Sequence, residues 1–224
     1  MNLSRVRAHP IAYWNQINPV NPEGELEELL PYLQGNVQEI FCRDGSLGRY
    51  LLERGVQWSG TDRDGTMLEH AFLQGVFSVS CSEYPKPGSC DVIFGAFAPF
   101  SYIAPAALQD FASAIHASLS PGGTSFFELW ESPDAISRQA LMETYNGTTK
   151  LVRACVPVVE KEKAIFDIEW MIAEPKQQPR YEHHRETRYL HSKVDIFSAF
   201  SWGEVQELTI ADRSWLRIDK PNFE

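Results

Sequence analysis

The stretch from residue 37 to residue 62 constrains the fold of this 224-residue chain more than any other part. An apolar run over Val37–Cys42 predicts a β-strand, and a helical pattern follows over Leu47–Arg54 and ends at Gly55. A second strand is predicted over Gln57–Thr61. A strand, a helix and another strand in close succession are typical of a parallel α/β fold.

The connection Cys42–Gly48 lies where a dinucleotide-type turn would hold several glycines, and Gly45 is the one glycine left in its centre. Glycine in such a turn lets the backbone approach a ligand, and a helix N-terminus follows it. A carboxylate about 20 residues further on can bind ribose hydroxyls. Asp62 follows the second strand, 23 residues after Glu39. The layout therefore predicts a nucleotide site.

Strand and helix patterns continue to alternate along the next part of the chain. Thr66–Leu73 has the pattern of a second crossover helix, and Asp91–Phe97 is apolar throughout, as central parallel strands are. The next apolar residues recur at helical spacing: Leu108, Phe111, Ala112, Ile115 and Leu119. Ser120–Gly123 predicts a turn, and Thr124–Leu129 predicts the strand that follows it.

The pattern becomes antiparallel after about residue 145, where two alternating runs flank the polar turn Glu160–Lys163. The alternating residues are Val152, Ala154, Val156 and Val158, then Phe166, Ile168, Trp170 and Ile172. A third strand is predicted over Tyr181–Leu190, and Ser192 is expected to cap a short helix. Two final strands complete the first sheet: Val205–Ile210 and Trp215–Ile218.

These patterns predict an α/β fold with a doubly wound, mostly parallel seven-stranded sheet and an inserted antiparallel β lid. The expected organisation is an N-terminal helical arm over 1–36, a Rossmann-like core over 37–145 and 193–224, and the lid over 146–192. In the arm, Asn21 and Pro22 form the N-cap and first turn of a helix. Its apolar stripe consists of Leu26, Leu29, Leu30 and Leu33.

Composition narrows the classes of function. The net charge of −10 argues against a nucleic-acid partner and against an anionic membrane surface, since both require a basic face. No apolar run approaches the roughly 20 residues that span a bilayer, and Met1–Pro10 lacks the apolar stretch of a signal peptide. The four cysteines are scattered without a CxxC pair, which predicts reduced thiols in a cytoplasmic protein and no metal site.

Several segments, taken in chain order, resemble the class I S-adenosylmethionine (SAM) dependent methyltransferases, and among them the small-molecule and amino-sugar N-methyltransferases. The segments before the lid are Gly60–Leu68, Asp91–Tyr102, Leu119–Gly123 and Phe126–Trp130. Tyr181–Leu190 is similar to the lid strand of that family. The resemblance implies a Rossmann-like methyltransferase fold, SAM as cofactor and a small-molecule amine as substrate.

The resemblance also implies positions for the cofactor. Asp62 would hold the ribose hydroxyls of SAM, and Met67 or its neighbours would flank the adenine. Ala96 would line the methionine end, while Glu39 and Gly45 belong to the loop around the cofactor. The residue types expected near the adenine include a carboxylate after the third strand, and Ser80–Ser82 supplies none.

The substrate side is less closely defined by the sequence. Carboxylates and other groups that could orient an amine or accept its proton are Asp44, Glu128, Glu131 and Tyr102, with His183 or His184 in the lid. His183 and His184 lie on opposite faces of a strand, so they cannot both point at one site. Candidate substrate-binding residues are Tyr13, Trp14, Arg43, Trp130 and Arg188. Tyr13 and Trp14 could instead anchor the arm to the core.

The first motif departs from the family pattern of an acidic residue followed by three glycines at alternate positions. Glu39–Gly45 keeps the acidic residue and the last glycine, while Phe41 and Arg43 replace the other two. A Cβ at either position must crowd a ligand or force a new backbone path. Arg43 and Asp44 also place a cation and an anion beside the expected methionine slot.

This departure leaves two further functions open. A reaction without SAM could use the same fold, as in methyltransferase-like proteins that form aziridine rings. In it, an amine would attack carbon within its own molecule, Arg43 would hold the departing sulfate or phosphate, and Asp44 would take the proton. The chain could also be a non-catalytic scaffold that binds a catalytic partner protein through the lid sheet. Its contacts would then be aromatic side chains that otherwise pack in the core: Trp170, Tyr189, Phe197 or Trp202. A homodimer or a hetero-oligomeric complex with a partner protein is left open for each of these functions.

Overall fold

The computed structural model describes residues 21–85, 88, 90–129 and 141–222. These residues form two compact units. One comprises 21–129 and 189–222, and the other comprises 141–188. The first 20 residues of the expected arm lie outside the described part.

The elements follow in this order along the chain. They are α1 (Pro22–Leu26), β1 (Asn36–Ile40), α2 (Ser46–Glu53), β2 (Gln57–Asp62), α3 (Gly65–Leu73), β3 (Val79–Cys81), β4 (Cys90–Gly95), α4 (Leu108–Ser118), β5 (Leu119–Glu128), β6 (Leu141–Asn146), β7 (Thr149–Glu160), β8 (Lys163–Ala173), β9 (Arg180–Tyr189), α5 (Lys193–Ala199), β10 (Glu204–Ile210) and β11 (Arg213–Asp219). Short 3-10 helices cover Leu30–Tyr32, Pro99–Tyr102 and Pro105–Ala107.

The larger unit contains a seven-stranded sheet in the order β10-β11-β5-β4-β1-β2-β3. Strands β1 to β5 run parallel, and β11 runs antiparallel to both β5 and β10. The predicted doubly wound, mostly parallel sheet is therefore confirmed. The strand order reverses between β1 and β4, and the crevice outside the carboxyl ends of the strands at such a switch point is where open α/β sheets bind ligands.

Four phenylalanines form the centre of the core on one face of this sheet. They are Phe100, Phe111, Phe127 and Phe200, each no more than 4% exposed. Every pair of these rings has centroids 5.3–6.4 Å apart. Burying one such ring contributes about 1.5–3 kcal/mol, so the cluster holds α4 and the chain after α5 against β5.

The βαβ unit from β1 to β2 packs around Trp58. Gly48 on α2 and Gly60 on β2 leave room for the indole, since a Cβ at either position would collide with the ring. The indole Nε1 donates a hydrogen bond of 3.1 Å to the buried Glu39 carboxylate. The sequence associates Gly60 with the cofactor motif. In the structure its lack of a side chain makes room for the Trp58 ring.

The smaller unit contains a four-stranded antiparallel sheet in the order β6-β7-β8-β9. The β7–β8 hairpin and β9 confirm the strands predicted for the lid. Their shared core consists of Leu151, Cys155, Ile168, Trp170 and Ile172. The sequence pattern does not predict β6. This strand pairs with β7 from Leu141↔Ala154 to Asn146↔Thr149. The antiparallel sheet therefore begins at Leu141, before the predicted lid boundary at residue 146.

Four predicted boundaries differ from the structure for local reasons. The helix whose predicted apolar stripe runs from Leu26 to Leu33 ends at Leu26, and a 3-10 helix follows over Leu30–Tyr32, where Pro31 has no N–H for an α-helical hydrogen bond. β1 stops at Ile40 and β4 stops at Gly95 because the backbone turns left-handed at Phe41, Phe97 and Ala98. The turn predicted at Ser120–Gly123 is instead part of β5, where the pairing with β4 is irregular. Gly122 accommodates that irregularity with a φ of 75°.

Candidate functional site

Three loops meet at the switch point of the seven-stranded sheet. They follow β1, β2 and β4, and they contain Phe41–Gly45, Asp62–Asp64 and Ala96–Tyr102. Because β1 pairs in parallel with both β2 and β4, the carboxyl ends of the three strands lie side by side. Most of the site residues predicted in the core lie on these loops.

The loop after β1 keeps the backbone that glycine favours at the positions where glycine has been replaced. Phe41 and Arg43 have φ angles of 53° and 55°, and Gly45 has a φ of 71°. A left-handed conformation costs an L-residue roughly 1–2 kcal/mol. Strain of this kind persists only when surrounding contacts impose it, and it is concentrated at functional sites.

The side chain of Phe41 turns into the core. Its ring is 5% exposed and lies 5.2 Å from the Tyr102 ring in a stacked arrangement. A second stacked contact joins it to Phe111 at 6.4 Å. Aromatic pairs of this kind contribute about 0.5–1.5 kcal/mol beyond burial, which offsets the unfavourable backbone at Phe41.

Asp62 connects the loops after β1 and β2. Its Oδ2 accepts a 2.8 Å hydrogen bond from the Arg43 N–H, and its Oδ1 accepts a 2.8 Å bond from the Asp64 N–H. The carboxylate is 6% exposed. Burial raises the pKa of Asp62, and the two backbone N–H groups oppose that rise. Each oxygen keeps a second acceptor position for another donor.

The side chain of Arg43 extends from the β1 loop to the β4 loop. Its guanidinium carbon lies 4.8 Å from the centroid of the Phe97 ring. Phe97 and Ala98 are both left-handed, with φ angles of 61° and 55°. The Phe97 N–H donates to Oε2 of Glu128 at the end of β5.

The Glu128 carboxylate accepts hydrogen bonds from two sides. Its Oε1 accepts from Nη1 of Arg213 on β11 at 3.3 Å, so each carboxylate oxygen has a donor. Glu128 therefore joins β5, β11 and the β4 loop. The catalytic role predicted for it stays a prediction.

The carboxylates of Asp44 and Glu39 are both buried. Asp44 is 5% exposed, and its Oδ1 accepts from the N–H and the hydroxyl of Ser46 at 3.2 and 2.7 Å, at the start of α2. Glu39 is 2% exposed beneath the loop. Burial raises the pKa of Glu39 well above its usual value, although the hydrogen bond from Trp58 opposes the shift.

The positions expected to surround the nucleoside lie at the start of α3 and after β4. Asp64 caps α3, with Oδ1 accepting from the N–H groups of Thr66 and Met67 at 2.9 and 3.4 Å. Met67 and Ala96 are 6% and 3% exposed. Both side chains are therefore largely buried.

Several neighbours of the site were not found from the sequence. Arg63 lies over the Tyr102 ring at 5.5 Å and pairs with Glu83 at 3.6 Å, which places a carboxylate just beyond the Ser80–Ser82 segment. His191 Nε2 donates a 2.8 Å hydrogen bond to the Ile103 carbonyl and so anchors the β4 loop. Isolated charged residues in loops give no sequence pattern that would identify them.

The predicted residues of β9 belong to the smaller unit. His183 is exposed and lies 3.4 Å from Asp167, while His184 is on the other, half-buried face. The prediction that the two histidines face opposite sides is confirmed. Arg188 pairs with Glu186 at 2.6 Å. The parts predicted for His184 and Arg188 in binding or catalysis stay predictions.

The aromatic residues considered for a partner contact differ in exposure. Trp170 is 2% exposed in the core of the smaller unit. Trp202 packs against the core of the larger unit, and Phe197 is 37% exposed. Trp170 therefore packs internally, as the alternative interpretation expected.

Four predicted residues lie outside the described part of the chain: Tyr13, Trp14, Trp130 and Glu131. Within the described ranges, no helix is long and apolar enough to cross a membrane. The same ranges contain no group of three or more His, Cys, Asp or Glu side chains arranged to hold a metal ion.

Comparison with known proteins shows the fold. No family model and no curated protein sequence matches the chain. Among solved structures, DesVI of Streptomyces venezuelae has a TM-score of 0.82 at 14% identity, covering 94% of this chain and 96% of its own. The sugar N-methyltransferase KedS8 from a Streptoalloteichus species has a TM-score of 0.80 at 15% identity, covering 95% and 92%.

A third similar structure contains bound SAM. It is CalS10, an amino pentose methyltransferase from Micromonospora echinaspora involved in calicheamicin biosynthesis, with a TM-score of 0.79 at 12% identity, covering 95% of this chain and 97% of its own. The chain therefore has the fold of the SAM-dependent methyltransferases, as the sequence motifs predicted.

The residues at the switch point fit the nucleoside part of SAM. Asp62 lies at the end of β2 with free acceptor capacity, and the loop after β1 keeps its left-handed backbone. The sequence places Arg43 beside the expected methionine slot, and that placement stays a prediction.

Proposed function

We propose that this chain is a SAM-dependent methyltransferase that acts on the amine of a small molecule, with amino sugars as the substrate class. The observation that carries the proposal is the position of Asp62 at the switch point of the seven-stranded sheet. The fold that contains this sheet matches DesVI, KedS8 and CalS10 over 94–95% of the chain. KedS8 and CalS10 are themselves sugar or amino pentose methyltransferases.

In this proposal the cofactor supplies the methyl carbon. The protein binds the cofactor and the amine substrate, orients them towards each other and excludes water from between them. Asp62 accepts hydrogen bonds from the ribose hydroxyls with the lone pairs that the Arg43 and Asp64 N–H groups leave. Met67, at the first turn of α3, flanks the adenine. The stacked rings of Phe41 and Tyr102 join the loops after β1 and β4 and would help to exclude water there.

Methyl transfer from radiolabelled SAM to a panel of amino-sugar nucleotides and simple amines tests the proposal. The wild-type chain should label an amine nitrogen. Asp62→Asn should raise the KM for SAM about tenfold, because losing one hydrogen bond to a charged group costs about 1.5–3 kcal/mol. Asp212→Asn, which removes a carboxylate from the exposed β10–β11 turn, should leave KM unchanged. No labelled amine, or equal KM values for the two variants, would contradict the proposal.

A second candidate is favoured by one observation, the guanidinium of Arg43 at a position where glycine is expected. In this reaction the lone pair of a substrate amine forms a C–N bond to a carbon of the same molecule. The C–O bond to a sulfate or phosphate breaks, its electron pair leaves with the oxyanion, and the ammonium proton passes to a base. Arg43 would stabilise the departing anion, and Asp44 is the base predicted from the sequence.

Incubation without SAM separates the two candidates. The probe is 2-aminoethyl hydrogen sulfate, whose cyclisation would give aziridine and inorganic sulfate. Ion chromatography should detect sulfate release above the protein-free rate if the second candidate is correct, and Arg43→Gln should abolish it. Sulfate release at the protein-free rate, together with methyl transfer from SAM, would favour the first candidate.

A further inference from the structure

We infer that one face of the four-stranded sheet in the smaller unit binds the same face of a second copy of this chain. This face, called the exposed face below, consists of the alternate residues of β6 to β9 that lie on the same side as Val156. The two copies are related by a two-fold axis, and β6 of each copy lies over β9 of the other. The inference does not depend on the reaction proposed above.

The exposed face has a continuous apolar strip. Leu141 and Val156 are 71% and 70% exposed, and Val158 is 49% exposed. The register pairs Leu141 with Ala154 and Val158 with Ile165, and these pairs join the residues that alternate along β7. Single exposed apolar residues are ordinary on a protein surface, whereas a contiguous strip indicates an interaction surface.

β7 is therefore apolar on both of its faces. Leu151 and Cys155 belong to the core of the sheet on one face, and Val156 and Val158 lie on the other. A strand of an antiparallel sheet with one face in water normally alternates apolar and polar residues. The second apolar face indicates a second packing partner.

The two outer strands of the exposed face carry opposite charges. β6 contributes the carboxylate of Glu143, and β9 contributes the basic side chains of His183 and Arg185. Because the strand order is β6-β7-β8-β9, a two-fold axis that runs along the strands between β7 and β8 brings each outer strand over the opposite one of the second copy. Glu143 of one copy then faces the basic strand of the other. This complementarity favours a second copy as the occupant and selects its orientation.

The charges of this face are also balanced within each copy. Glu143 lies 2.9 Å from Lys150, and Asp167 lies 3.4 Å from both His183 and Arg185. Exposed ion pairs of this kind contribute little by themselves, so their side chains can turn towards a second copy at small cost. The whole chain has a net charge of −10, which opposes self-association in general. A face whose carboxylates have basic neighbours avoids that repulsion.

The sheet is large enough for a stable dimer. β7 and β8 span 12 and 11 residues, and strands rise about 3.3 Å per residue and lie about 4.8 Å apart. The face of the four strands therefore covers on the order of 600 Å² in each copy, or about 1,200 Å² for the pair. That area is at the lower end of the range for specific, stable interfaces, and two sheets can pack face to face in this way.

Sedimentation velocity on the full chain tests the inference. The wild type should sediment with twice the chain mass of 25.5 kDa. Val156→Glu places a carboxylate in the apolar strip and should raise the dimer dissociation constant at least tenfold. Val194→Glu changes a similarly exposed valine on α5 in the larger unit. This matched control should leave the constant unchanged, and thermal unfolding checks that both variants are folded.

Two results would overturn the inference. One is a wild-type chain that stays monomeric at about 100 μM, well above the dissociation constant of a stable dimer. That result would leave the exposed face to a chain of different sequence. The other is a dimer that Val156→Glu and Val194→Glu weaken to the same extent.

Cross-linking tests the direction of the two-fold axis. Leu141, Ala154 and Glu169 lie side by side across β6, β7 and β8, and His183 on β9 lies 4.0 Å from Glu169. The axis therefore places Leu141 of one copy over His183 of the other. Leu141→Cys and His183→Cys are prepared separately, each with the exposed Cys81 changed to serine. A short bis-maleimide should cross-link the two variants when they are mixed and neither variant alone. Cross-linking of either variant alone, with none in the mixture, would contradict this arrangement.

Discussion

Arg43 and Phe41 hold a backbone conformation that L-amino acids adopt at a cost, and each is supported differently. Phe41 gains from a ring buried against Tyr102 and Phe111. Arg43 gains from its backbone bond to Asp62 and from the contact of its guanidinium with Phe97. The two replacements of glycine therefore serve different purposes, one in the core and one at the surface of the site.

This difference predicts that a glycine at position 43 has a small effect on the free energy of unfolding, whereas a glycine at position 41 lowers it strongly. Arg43→Gly relieves roughly 1–2 kcal/mol of backbone strain and loses the contacts of the guanidinium, among them a cation–π contact worth about 0.5–1 kcal/mol, so the free energy of unfolding should change by less than about 2 kcal/mol. Phe41→Gly removes a buried ring and should lower it by about 3 kcal/mol or more. Urea unfolding measures both. A loss of more than about 2 kcal/mol in Arg43→Gly would show that the guanidinium is chiefly structural.

Glu39 should make the protein less stable as the pH rises. Its pKa is raised in the folded state by burial, so the unfolded chain releases this proton at a lower pH than the folded chain does. The stabilising contribution is complete below the unfolded pKa of about 4.3 and is lost as the pH rises through the folded pKa. Asp62 acts in the same direction.

Glu39→Gln should remove that dependence, because a neutral amide oxygen can still accept the bond from Trp58. The variant should be more stable than wild type at pH 8, and the difference should shrink toward pH 4. Urea titrations from pH 4 to pH 9 measure this. Glu53→Gln, at an exposed position on α2, is the control for net charge. Parallel pH profiles for wild type and Glu39→Gln would contradict the prediction.

Among the helices and strands, the packing of α2 on β2 depends on glycine where the two elements cross. A Cβ at Gly48 would collide with the Trp58 ring, whereas a Cβ at Gly65 on α3 meets no atom within 4 Å. Gly48→Ala should therefore destabilise the protein by about 1–3 kcal/mol through overpacking. Gly65→Ala should be neutral or stabilising by up to about 1 kcal/mol. Equal unfolding midpoints for the two variants would contradict this account of the βαβ packing.

The bond from the Phe97 N–H to Glu128 should hold the β4 loop closed. Glu128→Gln keeps one acceptor oxygen for two donors, Phe97 and Arg213, and removes the charge that attracts Arg213. Amide hydrogen exchange at Phe97 should become about tenfold faster, equivalent to about 1.4 kcal/mol of local stability. The Leu216 amide, in the buried centre of β11, is the internal reference. Unchanged exchange at Phe97 would show that the loop is held by other contacts.

Regular elements could be predicted because their periodicity is visible in the sequence. The parallel strands, the β7–β8 hairpin and the helix capped by Ser192 all confirm the prediction, the last through the Asp195 N–H bond to Ser192 Oγ at 3.1 Å. Ser120–Gly123 was misassigned because proline and glycine indicate a turn, whereas the pairing of β5 with β4 absorbs them as an irregularity.

The site could be predicted less completely. The spacing of Asp62 from the first strand identified the carboxylate that joins two loops. The left-handed loop backbone, the support of Arg43 by Phe97 and the contacts of Glu128 depend on tertiary geometry that no spacing reveals. The sequence indicated which residue types lie near the site, whereas the partners of Glu128 and Arg43 depend on the folded structure.

For the chain overall, the fold persists although 12–15% of residues are identical to those of DesVI, KedS8 and CalS10. A parallel sheet requires apolar strands, crossover helices and suitable turns, and many sequences satisfy these requirements. The ligand site is more demanding, since it depends on single side chains at the ends of β1, β2 and β4. Phe41 and Arg43, which depart from the glycine pattern expected at these positions, belong to the loop after β1 and so lie at this site.

A crystal structure of the chain with S-adenosylhomocysteine is the most direct test of the switch-point site. The account predicts ribose hydroxyls within hydrogen-bonding distance of the Asp62 carboxylate and the ligand carboxylate beside the Arg43 guanidinium. A nucleoside bound elsewhere, or bound at the ends of these strands without touching Asp62, would contradict it.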